Sequence, residues 1–226
     1  MKIRKLVLNA FLAIGSILIV SCSETINQVE DTLATTEEEK SSEVEPAAGD
    51  SCILSGELSD AEIAGIMEMR EEEKLARDVY LFFYDMYGYI TFNNISKSEQ
   101  AHSNAMKYLI DGYGLEDPFL ENPGEFTNPD FAELYSTLTQ QGSESLVAAL
   151  KAGAFIEEYD INDLQNLLEE TQNADIIRVY SNLLRGSNFH LRAFTFALAR
   201  QGETYTPTII TEDEYQEITG GSTISE

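Results

Sequence analysis

The chain has two histidines, and their surroundings are where chemistry is expected. His102 follows Glu99 by three residues, so on a helix both side chains leave the same face. His190 has Ser187 at the same offset. The apolar stripe of each long helical stretch, followed in steps of three and four residues, carries a polar interruption near its middle. Glu73 falls between Met69 and Ala76, and Glu99 with His102 between Ile95 and Met106. Glu157 with Asp160 falls between Gly153 and Leu164, and Ser187 with His190 between Leu183 and Phe194. A carboxylate on an apolar face costs several kcal/mol unless it is paired or binds a cation. Four interruptions at comparable depth point to a shared polar centre. Oxygen and imidazole donors without thiolates suit iron, manganese or zinc.

The ligand set read from this pattern is Glu73, Glu99, His102, Glu157 and His190, with Asp160 and Ser187 as outer partners or further ligands. A hydrogen-bonded, metal-free cluster satisfies the same residues and stays open as the competing reading. Glu157 is preferred to Glu158, which shares a mixed face with Lys151 and Gln165. Glu71 and Glu72 are expected in solvent, and Arg77 and Arg192 flank the centre by sequence. Tyr80 and Tyr180 read as packing residues with hydrogen-bonding tips. No residue is assigned a catalytic role.

These residues need four helices to position them. A capping box at Ser59 and Glu62 and a stop at Gly88 frame the first. The second is expected over about 96–111, a short one near 130–140, and two more long ones over about 143–171 and 174–200. The fold class is therefore all-α. One connection of roughly 30 residues separates the second and third long helices, enough to run the length of a bundle. After Gly202 a polar tail, 203–226, follows, in which Tyr205 to Tyr215 is the segment expected to dock.

The N-terminus carries Lys2, Arg4 and Lys5, then the apolar run "LVLNAFLAIGSILIV", then Ser21 and Cys22. That is the layout of a secretory signal over 1–21, too short for a permanent membrane span. The residues "IVSC" resemble the lipobox of bacterial lipoproteins, which implies a lipid on Cys22 and anchorage in a bacterial cell envelope, periplasmic or surface-facing. Cys52 is then left without a disulfide partner, so a core must hold the fold. Residues 22–58, rich in Glu, Ser and Thr, read as a disordered tether, and 59–202 as the folded domain. The net charge of −26 argues against nucleic acid as a partner. Paired-Cys motifs and glycine-rich phosphate loops are absent, so thiol and nucleotide chemistry have no anchor.

The wording of the motifs adds a resemblance. "EKLARDVY", "EQAH", "EEYD" and "SNFHLRAF" look like the four helix motifs of rubrerythrin-type ferritin-like proteins. The longer stretches "REEEKLARDVY", "IEEYDINDL" and "LLRGSNFHLRAF" are similar to the ferritin-like family called domain of unknown function 2202. The resemblance implies a ferritin-like four-helix bundle with one long crossover, and one or two ions of iron or another divalent transition metal between the helices. It implies an iron-dependent oxidoreductase if the metal is redox-active, and it leaves a homodimer open. The sequence departs from the pattern at Ser187, where a second Glu-x-x-His would have its carboxylate. That departure keeps alive a non-catalytic envelope module with a degenerate, metal-free centre.

Overall fold

Five of the six helices begin at residues whose side chains cap their own first turns. In the computed structural model, which describes Leu54 and residues 56–220, α1 spans Asp60–Tyr87, α2 Ile90–Tyr113 and α3 Pro129–Gly142. α4 spans Leu146–Glu170, α5 Ala174–Arg200 and α6 Glu212–Thr219. The signal segment, Cys22, Cys52 and most of the tether lie outside the described residues, as do 221–226. The Ser59 capping box opens α1, and Gly88, at φ 61°, closes it in the left-handed region. Asn128 with Pro129 opens α3, Ser145 opens α4 and Asn173 opens α5 through side-chain caps. No strand occurs among the described residues, and no helix there is long and apolar enough to cross a membrane.

The four long helices pack in a ring in the order α1, α2, α5, α4, each neighbour antiparallel. Two apolar clusters fill its interior. Ile66, Met69, Met106, Leu164 and Leu183 belong to one, and Tyr80, Phe83, Phe92, Leu150 and Phe194 to the other. Along every long helix the polar residues singled out above fall between the two clusters.

α2 starts at Ile90, six residues before the expected Ser96. The stretch "ITFNNI" has weak helix propensity, but Phe92 and Ile95 are buried in the core, and that packing outweighs propensity. The order also begins earlier than the tether boundary at 58 suggested. Leu54 donates its N–H to the Gly112 carbonyl at 3.1 Å, and Leu54 and Leu58 pack against the first cluster.

The charged run on α1 is buried rather than solvated, because the crossover lies over it. Glu71 accepts from the backbone N–H groups of Thr127 and Asn128 at 2.5 and 3.0 Å. Arg70 makes a paired contact with Asp117 at 3.0 Å, and Lys74 donates to Asp78 at 2.5 Å and to the Asn122 carbonyl at 3.0 Å. Asp78 in turn accepts from Gly124 N–H. One face of α1 thus supplies the partners that the loop backbone needs when it leaves water.

Glu158 does the same for the C-terminal segment. Its carboxylate accepts from the Tyr205 hydroxyl at 2.5 Å and from the N–H groups of Thr208, Ile209 and Ile210. Tyr205, Ile210 and Tyr215 are buried beneath it, and Arg192 donates to the Ile218 carbonyl at 2.9 Å, holding the short α6 that the polar tail had concealed. Glu158→Ala is expected to cost about 2–4 kcal/mol in urea unfolding, since several buried donors lose their acceptor. Limited proteolysis should then cut between 203 and 219 in the variant and not in the native protein.

Candidate metal centre

Glu73 is delivered by α1, Glu99 and His102 by α2, Glu157 and Asp160 by α4, and Ser187 and His190 by α5. Every sequence-predicted ligand therefore faces the same interior space. The carboxylates are at most 1 % exposed, while the side chains of His102 and His190 are 13 % and 10 % exposed. The centre is sealed except where α2 meets α5.

Glu99 stands at its middle. Its Oε2 lies 2.8 Å from His102 Nδ1 and its Oε1 lies 2.8 Å from His190 Nδ1. Neither contact has hydrogen-bond directionality, which leaves both Glu99 oxygens without a hydrogen-bond partner. Glu73 Oε2 reaches His102 Nδ1 at 3.3 Å, and Glu157 Oε2 reaches His190 Nδ1 at 3.4 Å. Two imidazole–carboxylate groups are thus joined through one carboxylate, with the rings 5.4 Å apart. One donor atom each from Glu99, His102 and His190 can be chosen so that all lie within 4.8 Å of one another.

Supporting contacts fix the donors. Ser98 Oγ lies 3.0 Å from His190 Nε2, so the outer ring nitrogen is engaged and Nδ1 faces inward. The Tyr80 hydroxyl donates to Glu157 Oε1 at 2.5 Å. Gly186 makes room for the His102 ring, because a β-carbon there would sit 2.5 Å from His102 Cε1 and Nε2. Arg77 is engaged outside the cluster with Asp78 and Gln100, and Arg192 with the tail. Neither arginine neutralises the centre.

Glu72 belongs to the same buried region, against expectation. It is 1 % exposed and both carboxylate oxygens lack a partner. Burial, followed by the charges of Asp160 and Asp163, holds its carboxyl well above the usual range. Burial and the Asp160 charge do the same to Glu73. Burial pushes Glu157 up to about 8, with the Glu99 charge adding to it, and Asp160 up to about 6. For Glu99 the desolvation is outweighed by His190 and His102, which bring it down to about 2. Burial would lower both histidines, but Glu73 and Glu99 raise His102 to about 11, and Glu157 and Glu99 raise His190 to about 10. The cluster as it stands must hold protons in place of positive charge.

Orphaned oxygens on Glu73, Glu99, Glu157 and Asp160, with His190 Nδ1, are the atoms a divalent cation would satisfy. The donor set fits a transition metal with hard-to-borderline preference. Gly186→Ala tests the geometry at one end. It is expected to keep metal-free stability within about 1 kcal/mol, as alanine is the better helix former, while turning the His102 ring aside and weakening Co(II) binding about tenfold in a calorimetric titration.

The chain is 48 % identical over 167 residues to the uncharacterized protein MJ0754 of Methanocaldococcus jannaschii, covering 74 % of this chain and 90 % of that one. The crystal structure of the hypothetical protein MJ0754 superposes with a TM-score of 0.73 at 47 % identity, covering 75 % of this chain and 98 % of the other. Residues 62–222, which contain every donor discussed above, match the family described as "Uncharacterized protein domain (DUF2202)", and the chain belongs to that family.

Proposed function

We propose that this protein is a ferritin-like metal-binding protein that holds one or two divalent transition-metal ions, iron foremost, between α1, α2, α4 and α5. The observation that carries the reading is Glu99, whose two oxygens each lie 2.8 Å from a different inward-facing imidazole nitrogen without a hydrogen bond along either line. Glu73 and Glu157 complete the two ends of the set. When bound, iron would supply one-electron chemistry with oxygen or peroxide. The chain's own part is to hold Glu99 between the imidazoles, to keep bulk water out with the two apolar clusters, and to steady Glu157 through Tyr80. The edge between α2 and α5, where both histidines retain some exposure, is the side from which a small oxidant would enter.

The signal-like N-terminus and the lipobox-like Cys22 support export and lipid anchorage in a cell envelope as part of the same proposal. Labelled palmitate should enter the native chain and not Cys22→Ala.

Elemental analysis of protein purified without chelator tests the metal reading. At least about one equivalent of transition metal per chain is expected, lost on chelation together with part of the thermal stability. Less than about a tenth of an equivalent, with melting unchanged by Co(II), Mn(II) or Fe(II), would favour the metal-free module instead, the protonated histidines then serving as the cations that pair the carboxylates.

A further inference from the structure

In a chain with 40 acidic and 14 basic residues, the outer face of α5 gathers arginines. Arg185, Phe189, Arg192, Phe196 and Arg200 follow one another at steps of four, three, four and four residues. They therefore form one stripe, about 22 Å long, on a different face of the helix from His190. Phe196 is 66 % exposed and Phe189 58 %, the two highest values for large apolar side chains among the described residues. Among those residues neither Arg185, Arg192 nor Arg200 forms an ion pair, whereas Arg178, earlier on the same helix, pairs with Asp175 at 3.2 Å.

Acids are nonetheless close by. Arg185, Phe189 and Arg192 share a cleft of about 390 Å³ with Glu214, Glu217 and Ile218 of α6. Arg192 donates to the Ile218 carbonyl at 2.9 Å and lies 4.3 Å over the Phe189 ring, while Glu214 accepts from Gln165 at 2.5 Å. Glu217 is exposed. Both signs of charge thus border one cleft without pairing across it, and two aromatic rings stand beside them in water. Arginine and phenylalanine collected in this way mark an interface rather than a solvated face.

The patch is complementary to itself. A two-fold axis along the seam between α5 and α6 sets α5 of each copy over α6 of the other. Arginines then meet acids twice over, whereas an axis that stacked α5 on α5 would set arginine against arginine. Two molecules of net charge −26 repel at a distance, so their approach needs a face on which cations stand free.

We propose that the α5–α6 face is the surface on which two copies of this chain associate, with Arg185 of each copy paired to Glu217 of the partner subunit and Phe196 buried between them. The stripe lies on the outer side of α5, so the contact does not depend on a metal between the helices.

Sedimentation velocity of the full chain in non-ionic detergent tests this. A monomer–dimer equilibrium with a Kd of about 10 μM or tighter is expected. Phe196→Asp should weaken it at least about tenfold. Arg185→Glu and Glu217→Arg should each weaken it about tenfold, and the two combined in one chain should restore it to within about threefold of the native value. All three positions are exposed, so the melting temperature of the monomer should be kept. A native chain that stays monomeric would overturn the proposal and leave the face to a partner of another kind. A dimer that the three single variants leave intact, or a double variant that stays monomeric, would overturn it as well.

Discussion

Glu99→Gln is expected to abolish metal uptake at both ends of the centre while leaving the helices intact. The side chain is isosteric, so the core is not opened, but the one group shared by both imidazoles loses its charge. Loss of a partner outside the ligand set typically costs 10–100-fold in metal affinity, so removal of a ligand common to both ends should exceed about a hundredfold. The effect is also visible as stability. With free metal at about 100 times its dissociation constant, the native state gains about 2.7 kcal/mol. For a chain of this size that is a rise in melting temperature of about 5–11 °C. The native chain should show that increment on adding Mn(II) or Co(II), and Glu99→Gln should show none. An equal increment in both would remove Glu99 from the centre.

The second large effect is a reversed pH dependence. The folded chain raises Glu157 to about 8, Asp160 to about 6, His190 to about 10 and His102 to about 11. Between about pH 4.5 and 10 the native state therefore holds more protons than the unfolded chain, and stability falls as pH rises. Glu99, brought down to about 2, acts in the opposite sense, and its contribution is lost only as pH falls from its unfolded value toward 2. Each excess proton corresponds to about 1.4 kcal/mol per pH unit. Metal-free protein should accordingly lose at least about 3–5 °C of melting temperature per unit between pH 5 and 8. Metal binding displaces those protons, so the metal-induced increment should grow over the same range. Differential scanning calorimetry with and without Co(II) reads both trends. A metal-free chain that becomes more stable from pH 5 to 8 would contradict the proton-loaded cluster.

The helix stripes were legible because burial repeats with the helical period. Glu73, Glu99, Glu157, Asp160, Ser187 and His190 all stand on the faces their spacing assigned, and all are buried. His102, on the same stripe, keeps a small exposed edge. What escaped sequence reading depends on contacts between distant segments. Glu72 stands in a run of acids that reads as solvated, and nothing local says that the run is covered. Glu158 sits beside a ligand candidate yet turns outward to the tail, which its own helix cannot indicate. Gly186 reads as a weak point in a helix until the His102 ring is seen against it. Ser187 reads as an absence until Asp160 is found across the interface. In each case the identity of the neighbour required the fold.

An anomalous-difference map from crystals grown with Mn(II) or Fe(II), recorded at that metal's absorption edge, tests the central claim most directly. The expected result is a peak between Glu99 and the two inward-facing imidazole nitrogens, with any second peak also in contact with Glu99. Crystals that diffract well and show no anomalous peak among Glu73, Glu99, His102, Glu157 and His190 would contradict it.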